Sequence, residues 1–224
     1  MNKIRDMPKL ESPFERELVN GKYVCIPKFK EEFKWIFDSK ICNCSEKFDG
    51  TNVSILIQDG VITSCWNRTE RLPFFNKGKK FIIEGLLNSY EKSYMEFLED
   101  GQHFGELIGK KLQGNPYELD NHLWVPFKRA RDKYEYKFWH GFVKEELTLK
   151  EDFKDCPKLL NIISELFKVL KSRWFITRGD KDEKFAEGIV FLNTETGAMC
   201  KLRRDMFDWF EGKAHNWKNL KPKQ

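Results

Sequence analysis

The chain has 224 residues, 40% hydrophobic and 33% charged, which excludes a disordered or low-complexity chain and allows one good-sized core. Its net charge of +5 permits an anionic partner without requiring one. No apolar run reaches the ~18 residues that a membrane span needs. Met1–Phe14, with its interspersed charges and two prolines, does not read as a signal peptide, so a cytoplasmic protein is expected.

Met1–Val24 is mixed and turn-rich, an arm or an edge strand. Lys28–Asp38 places Phe29, Phe33, Ile36 and Phe37 at helical spacing and predicts a short packing helix. Ile41–Ser45 reads as a strand with Lys47 at or just past its end. Val53–Ile57 and Val61–Cys65 flank Gln58-Asp59-Gly60, a hairpin signal because both Asp and Gly tolerate positive φ. After a basic loop at Lys77–Lys80, Phe81–Leu98 reads as a helix and His103–Ile108 as a strand. Gly109–Asn121 is turn-rich. The basic segment Lys128–Lys137 runs into the aromatic stretch Tyr134–Phe142, in which Tyr136–His140 is expected as a strand. Pro157–Ser172 is periodic as a helix. Trp174–Thr177, Gly188–Leu192 and Met199–Leu202 read as strands, and Asp205–Lys213 as a last helix before a lysine-bearing tail. The six cysteines form no Cys-x-x-Cys; Cys42 and Cys44 fit alternating strand positions with reduced thiols better than a metal site.

The stretch with the most chemistry in it is Ser45–Asn52, Ser-Glu-Lys-Phe-Asp-Gly-Thr-Asn. A lysine beside an acidic, glycine-bearing bend is a candidate nucleophile if its amine can be neutral. Gly50 lets the backbone turn or approach a ligand closely. Lys47-Phe48-Asp49-Gly50-Thr51-Asn52 resembles motif I of the covalent nucleotidyltransferases, the DNA ligases, RNA ligases and mRNA capping enzymes. Phe104-Gly105-Glu106-Leu107 resembles motif III, Glu187-Gly188-Ile189-Val190 motif IV, and Lys201-Leu202-Arg203 the Lys-x-Lys of motif V. The order is the family's, and the match runs from about Ile41 to Arg204. Thr51-Asn52 stands where DNA ligases and capping enzymes usually carry an arginine, and it is similar to the RNA ligases of the RNA ligase 2 type.

The resemblance implies an α/β (α+β) adenylylation domain over residues 1–204, with antiparallel sheets flanked by helices around an ATP pocket. Residues 205–224 would form a short helix and basic tail with no separate OB-fold. It implies an ATP-dependent RNA ligase: Lys47 forms lysyl-AMP, the AMP passes to an RNA 5′-phosphate, and a 3′-hydroxyl displaces it. RNA in a nicked duplex is the expected partner, and ATP with Mg²⁺ or Mn²⁺ the expected cofactors. Lys47, Lys201 and Arg203 would be catalytic. Glu46, Asp49, Gly50, Asn52, Arg68, Glu106 and Phe138 would join Lys47 and Lys201 in binding the nucleotide, with Phe138, Tyr136 or Trp139 stacking on adenine. Glu187, with Glu106, would serve the metal, since hard divalent ions prefer carboxylate and water oxygens.

A free lysine is almost wholly protonated near neutral pH, its reference pKa being about 10.4. Nearby cations disfavour the ammonium and would also stabilise charge on phosphate oxygens. Arg203 departs from the family's second lysine; it keeps the charge but cannot readily lose a proton. The residues leave open a small DNA ligase, a capping-type guanylyltransferase, or a non-catalytic RNA-binding relic using Lys128–Phe142. Thr51-Asn52 speaks against the first two, and the presence of Lys47 and Glu187 against the third.

Overall fold

A computed structural model describes residues 4–73, 77–146, 152–180 and 184–211. In chain order the strands are β1 (Phe14–Val19), β2 (Lys22–Phe29), β3 (Cys42–Lys47), β4 (Thr51–Gln58), β5 (Val61–Asn67), β6 (Glu70–Leu72), β7 (Gly101–Gly109), β8 (His122–Pro126), β9 (Gly188–Asn193) and β10 (Met199–Arg203). The helices are α1 (Lys80–Glu91), α2 (Phe127–Lys133), α3 (Phe138–Glu146), α4 (Pro157–Val169) and α5 (Arg173–Arg178). These strands pair antiparallel throughout, with one isolated parallel bridge, Glu11 to Cys200, among the described residues, so the chain is a mixed helix and antiparallel-sheet fold as expected. No helix among the described residues is long and apolar enough to cross a membrane. The contacts divide the chain into two compact units, Met1–Lys9 with Phe48–Asp132, and Leu10–Lys47 with Lys133–Gln224.

The first unit is a five-stranded sheet in the order β6-β5-β4-β7-β8. Its hairpin forms where Asp-Gly predicted it. Asp59 (φ 52°) and Gly60 (φ 72°) are both left-handed, and the Asp100 carboxylate accepts both of their N–H groups, at 2.7 and 2.9 Å. One face of the sheet packs on α1, burying Ile82 and Leu86 against Val53, Ile55, Leu107 and Trp124. Gly85 makes this approach possible, since a Cβ there would meet Leu107 Cδ1 at 2.2 Å. Trp124 donates its indole N–H to Val53 O at 3.0 Å, so the buried ring leaves no orphaned donor. Helix α1 stops earlier than its apolar periodicity suggests: the Lys92 N–H turns back to Asn88 O, and Ser93 is left-handed at φ 57°.

The second unit holds the β1–β2 hairpin and a three-stranded sheet in the order β10-β9-β3. Its core joins Cys44, Ile189, Phe191, Cys200 and Leu202 from the sheet to Leu159, Ile163 and Phe167 of α4 and to Trp139 of α3. All six cysteines are buried and unbridged. Two cations are spent inside this unit. Lys22 donates to Phe207 O (2.6 Å) and Phe210 O (2.7 Å). Arg204, 1% exposed, donates to Phe167 O and has the Phe185 ring 4.4 Å from its guanidinium carbon.

Several local readings are corrected. The short helix expected over Lys28–Asp38 forms as a 3₁₀ segment, Glu31–Phe37. Trp174–Thr177 is helical: Ser172 is extended before α5, and Gly179 closes it in the left-handed region at φ 73°. Ile and Thr made that segment look like a strand, and Gly179 at its end with the Glu46 carboxylate accepting Trp174 N–H at its start outweigh propensity. The Tyr136–His140 strand is also absent; only a single bridge, Ser45 to Glu135, precedes α3. Strand β8 was not anticipated. The expected Asp205–Lys213 helix is a one-turn 3₁₀ segment at Arg204–Met206, and the tail after residue 211 lies outside the described residues.

Gly188 is the tightest backbone approach in the second unit, because a Cβ there would lie 2.1 Å from Leu202 O and 2.8 Å from Arg203 Cα. Overpacking of this kind costs about 1–3 kcal/mol, and more where backbone has to move. Gly188→Ala is therefore expected to lower stability by about 2 kcal/mol or more in urea unfolding, and an unchanged midpoint would contradict the packing described.

Candidate active site

The register of the three-stranded sheet decides which side chains meet. Gly188 on the central β9 is paired with Lys47 on β3 and with Arg203 on β10, while Val190 is paired with Ser45 and Lys201. Residues directly opposite in an antiparallel pair, and those two apart on a strand, share a face. Lys47, Lys201 and Arg203 therefore project from one side, over a glycine that contributes no side chain. Glu187, 4% exposed, supplies the countercharge: its Oε2 accepts from Lys47 Nζ at 2.7 Å, and its Oε1 lies 3.9 Å from Arg203 Nη1. Arg203 also pairs with Asp205 at 3.0 Å.

Burial pushes the Lys201 amine down from its ordinary value to about 8, and the neighbouring cations Lys47 and Arg203 push it the same way against the pull of Glu187. Arg16 of β1 adds to this repulsion. A lysine tuned to this range is still mostly charged at pH 7 but gives up its proton far more readily than an ordinary lysine. Lys47 is in a different condition. Its ion pair with Glu187 uses the charged amine, so the nitrogen is available to another group only when that pair opens.

Glu46 occupies the other face of β3 and does not share the Lys47 side. It is 2% exposed and points into the core, where it accepts from Ser172 Oγ (2.6 Å) and from Trp174 N (2.8 Å) at the start of α5. Its expected place among the nucleotide-contacting side chains is thus corrected by the alternation of the strand. Burial raises its carboxyl from 4.5 to about 7, with the Ser172 and Trp174 hydrogen bonds acting in opposition.

In the other unit, the turn after Lys47 is built onto β7. Gly50 donates its N–H to Glu106 Oε1 at 3.1 Å, and a Cβ on it would lie 2.2 Å from Leu107 O. This glycine is required by close approach, not by an unusual φ. Asn52 faces Glu106 across β4 and β7, and its buried Oδ1 has no hydrogen-bond partner among the described residues. Asp49 N donates to Tyr117 OH at 2.7 Å. Arg68 lies in the β5–β6 turn at φ 57° and pairs with Asp6 at 3.2 Å on the exposed surface.

Phe138 sits at the first turn of α3, not on a strand; it is 44% exposed, 5.5 Å from the Tyr136 ring. Tyr136 and Trp139 are core residues, with Tyr136 OH bonded to Lys171 O and Trp139 Nε1 to Ile36 O. The sequence reading passed over Phe127, the half-buried residue directly after β8, the strand whose Val125 pairs with Glu106. It also passed over Asp205, whose only signal was its place two residues after Arg203. For a metal ion, the described residues contain no cluster of three His, Cys, Asp or Glu side chains. A caged cation does not fit this chemistry, whereas a hydrated Mg²⁺-type ion needs only one or two carboxylates beside phosphate and water.

No protein-family model matches the chain, and no curated protein does. Among solved structures, the chain is similar to an RNA ligase. A Naegleria gruberi RNA ligase mutant with AMP and Mn shares 15% identity at a TM-score of 0.46, over 89% of this chain and 58% of that one. An apo mutant of the same enzyme gives 15% and 0.46 over 90% and 58%, and a mutant with ATP and Mn gives 15% and 0.41 over 72% and 48%. The chain thus spans about half to three-fifths of the length of the ligases it matches.

A carboxyl that binds its proton at about 7 when folded and at 4.5 when unfolded contributes stability that is complete below 4.5 and lost as pH rises through 7. Glu46→Gln removes that titration. Between about pH 5 and pH 8 the urea midpoint should fall less in the variant than in the unsubstituted protein; parallel pH profiles would refute the buried-carboxyl assignment.

Proposed function

We propose that the chain is an ATP-dependent nucleotidyltransferase of the RNA ligase type. The observation that carries this reading is the shared face of Lys47, Lys201 and Arg203 over Gly188, with Glu187 bonded to Lys47. Such a face suits a phosphate chain, and the one amine paired to a buried carboxylate is the one in the motif that resembles the ligases.

In the proposed reaction the Lys47 amine, released from Glu187 and stripped of a proton, attacks the α-phosphorus of ATP. A nitrogen–phosphorus bond forms, the bond to the bridging oxygen breaks, and pyrophosphate leaves with that electron pair. Lys201 and Arg203 bear on the charge that develops on the phosphate oxygens. A divalent ion arriving with the nucleotide would neutralise phosphate charge, and Glu187 is the carboxylate that could hold it through water. AMP is then passed to an RNA 5′-phosphate, and a 3′-hydroxyl displaces it to close the phosphodiester. Glu106, oriented by the Gly50 N–H, and Asn52, with its unused acceptor, are proposed to meet nucleotide hydroxyl and amino donors.

Incubation with α-labelled ATP and Mg²⁺ is expected to leave covalent AMP on Lys47. Lys47→Ala should abolish the label, and Glu187→Gln should reduce its rate about a hundredfold; label retained in the lysine variant would refute the nucleophile. Comparing ATP with GTP, and nicked RNA with nicked DNA, separates the ligase from the capping and DNA-joining readings. The stacking aromatic is read from KM for ATP: a rise confined to Phe138→Ala keeps the expected residue, and a rise confined to Phe127→Ala assigns the role to the residue after β8.

A further inference from the structure

The basic segment expected as a loop is instead a 3₁₀ turn, Lys77–Lys79, running into Lys80 at the start of α1, and it has no part in the chemistry above. In the five-stranded unit, side-chain alternation puts Leu107 and Trp124 against α1, so Glu106 and Asn52 lie on the opposite face of the sheet. On the α1 side, where β7 ends and β8 begins, a cleft of ≈580 Å³ is lined by Lys80, Phe81, Lys110, Lys111 and His122, among others.

Three features of this cleft point to the same ligand chemistry. The first is the N-terminus of α1, a twelve-residue helix that has no side-chain cap at Lys79 and no acidic residue in its first turn. Its leading N–H groups and dipole favour an anion. The second is the convergence of Lys80 with Lys110 and Lys111 from the turn after β7. The third is His122. The residue is 7% exposed; its Nδ1 lies 3.1 Å from Glu84 Oε2, and its backbone N–H donates to Glu84 Oε1 at 3.2 Å. The carboxylate fixes the proton on Nδ1, and Nε2 has no hydrogen-bond partner among the described residues. With the proton on Nδ1, Nε2 is an unused acceptor that suits a hydroxyl of the kind a ribose carries beside its phosphate. Of the two carboxylates on the cleft, Glu84 is engaged by His122, which leaves Asp120 against three lysines.

We propose that this cleft is a second anion site that grips a backbone phosphate of RNA, on the face of the sheet away from Glu106. The phosphate chemistry stands on the cleft itself, and the choice of RNA as its source rests on the proposed function. It would act as a remote hold on the substrate, adding affinity without taking part in nucleotide transfer.

The full chain is titrated with inorganic phosphate at constant ionic strength while its amide NMR signals are followed, and separately with a short fluorescein-labelled RNA carrying a 5′-phosphate. Phosphate is expected to shift the amides of Lys80–Ile82 and His122. The surface variant Lys110→Gln/Lys111→Gln is expected to bind the RNA about tenfold more weakly, with a salt dependence shallower by about two phosphate contacts. Its covalent AMP labelling at Lys47 should be unchanged. Amide shifts with phosphate but unaltered RNA affinity would support the anion site and assign its phosphate to a free nucleotide or phosphate ion. RNA binding weakened by the double substitution in a protein that never takes up AMP would uphold the cleft and remove the ligase reading. Unshifted amides together with unaltered RNA affinity would overturn the proposal.

Discussion

Everything in the candidate site depends on crowding like charges over a residue with no side chain. Gly188 lets β10 close tightly on β9, and its pairing with both Lys47 and Arg203 sets them on either side of the same point, with Lys201 two pairs further along. Such a cluster costs free energy in the empty protein, and the molecule relieves it in two ways. Glu187 is buried among the cations as a countercharge, and Lys201 is held where it readily sheds its proton. Both responses would be undone by a polyphosphate, which brings the negative charge that the face lacks. For the proposed nucleotide-binding role, that is the behaviour electrostatic preorganisation calls for.

The same strand does opposite work on its two faces. Lys47 lies on the charged side, while its neighbour Glu46 ties β3 to the start of α5 through Ser172 and Trp174. Lys47 is the last residue of β3, and strand ends fray unless something holds them. Glu46 is that hold, one residue away and sealed from water. Burying a carboxyl there is expensive, and its hydrogen bonds from α5 are what make the position tolerable.

Legibility in the sequence followed the kind of signal. The Asp59-Gly60 hairpin, β3, β7, β9 and β10 were readable because short alternating runs bounded by turn residues have few alternatives. So was the gathering of Lys47, Glu187, Lys201 and Arg203, since the motifs carrying them fall on strands that pair. The errors lie where long-range partners overrule local pattern. Trp174–Thr177 looks extended by composition, but Gly179 and the Glu46 carboxylate make it a helix. Glu46 looked like part of the site because it adjoins Lys47, although a period of two sends it to the core. His122–Pro126 escaped notice because it is buried at every position, so it shows no alternation, and its proline sits at the strand's end.

Lys22 and Arg204 carry a consequence for how the whole molecule meets a polyanion. Lys22 spends its ammonium on two main-chain carbonyls behind β10, and Arg204 is enclosed by carbonyls and rings. Glu187 likewise screens Lys47 from within. Neutral carbonyls leave both charges in place, so the formal surplus of +5 still sets the long-range field. What these two side chains have given up is their donors, so close contacts with any polyanion would have to come from other cations.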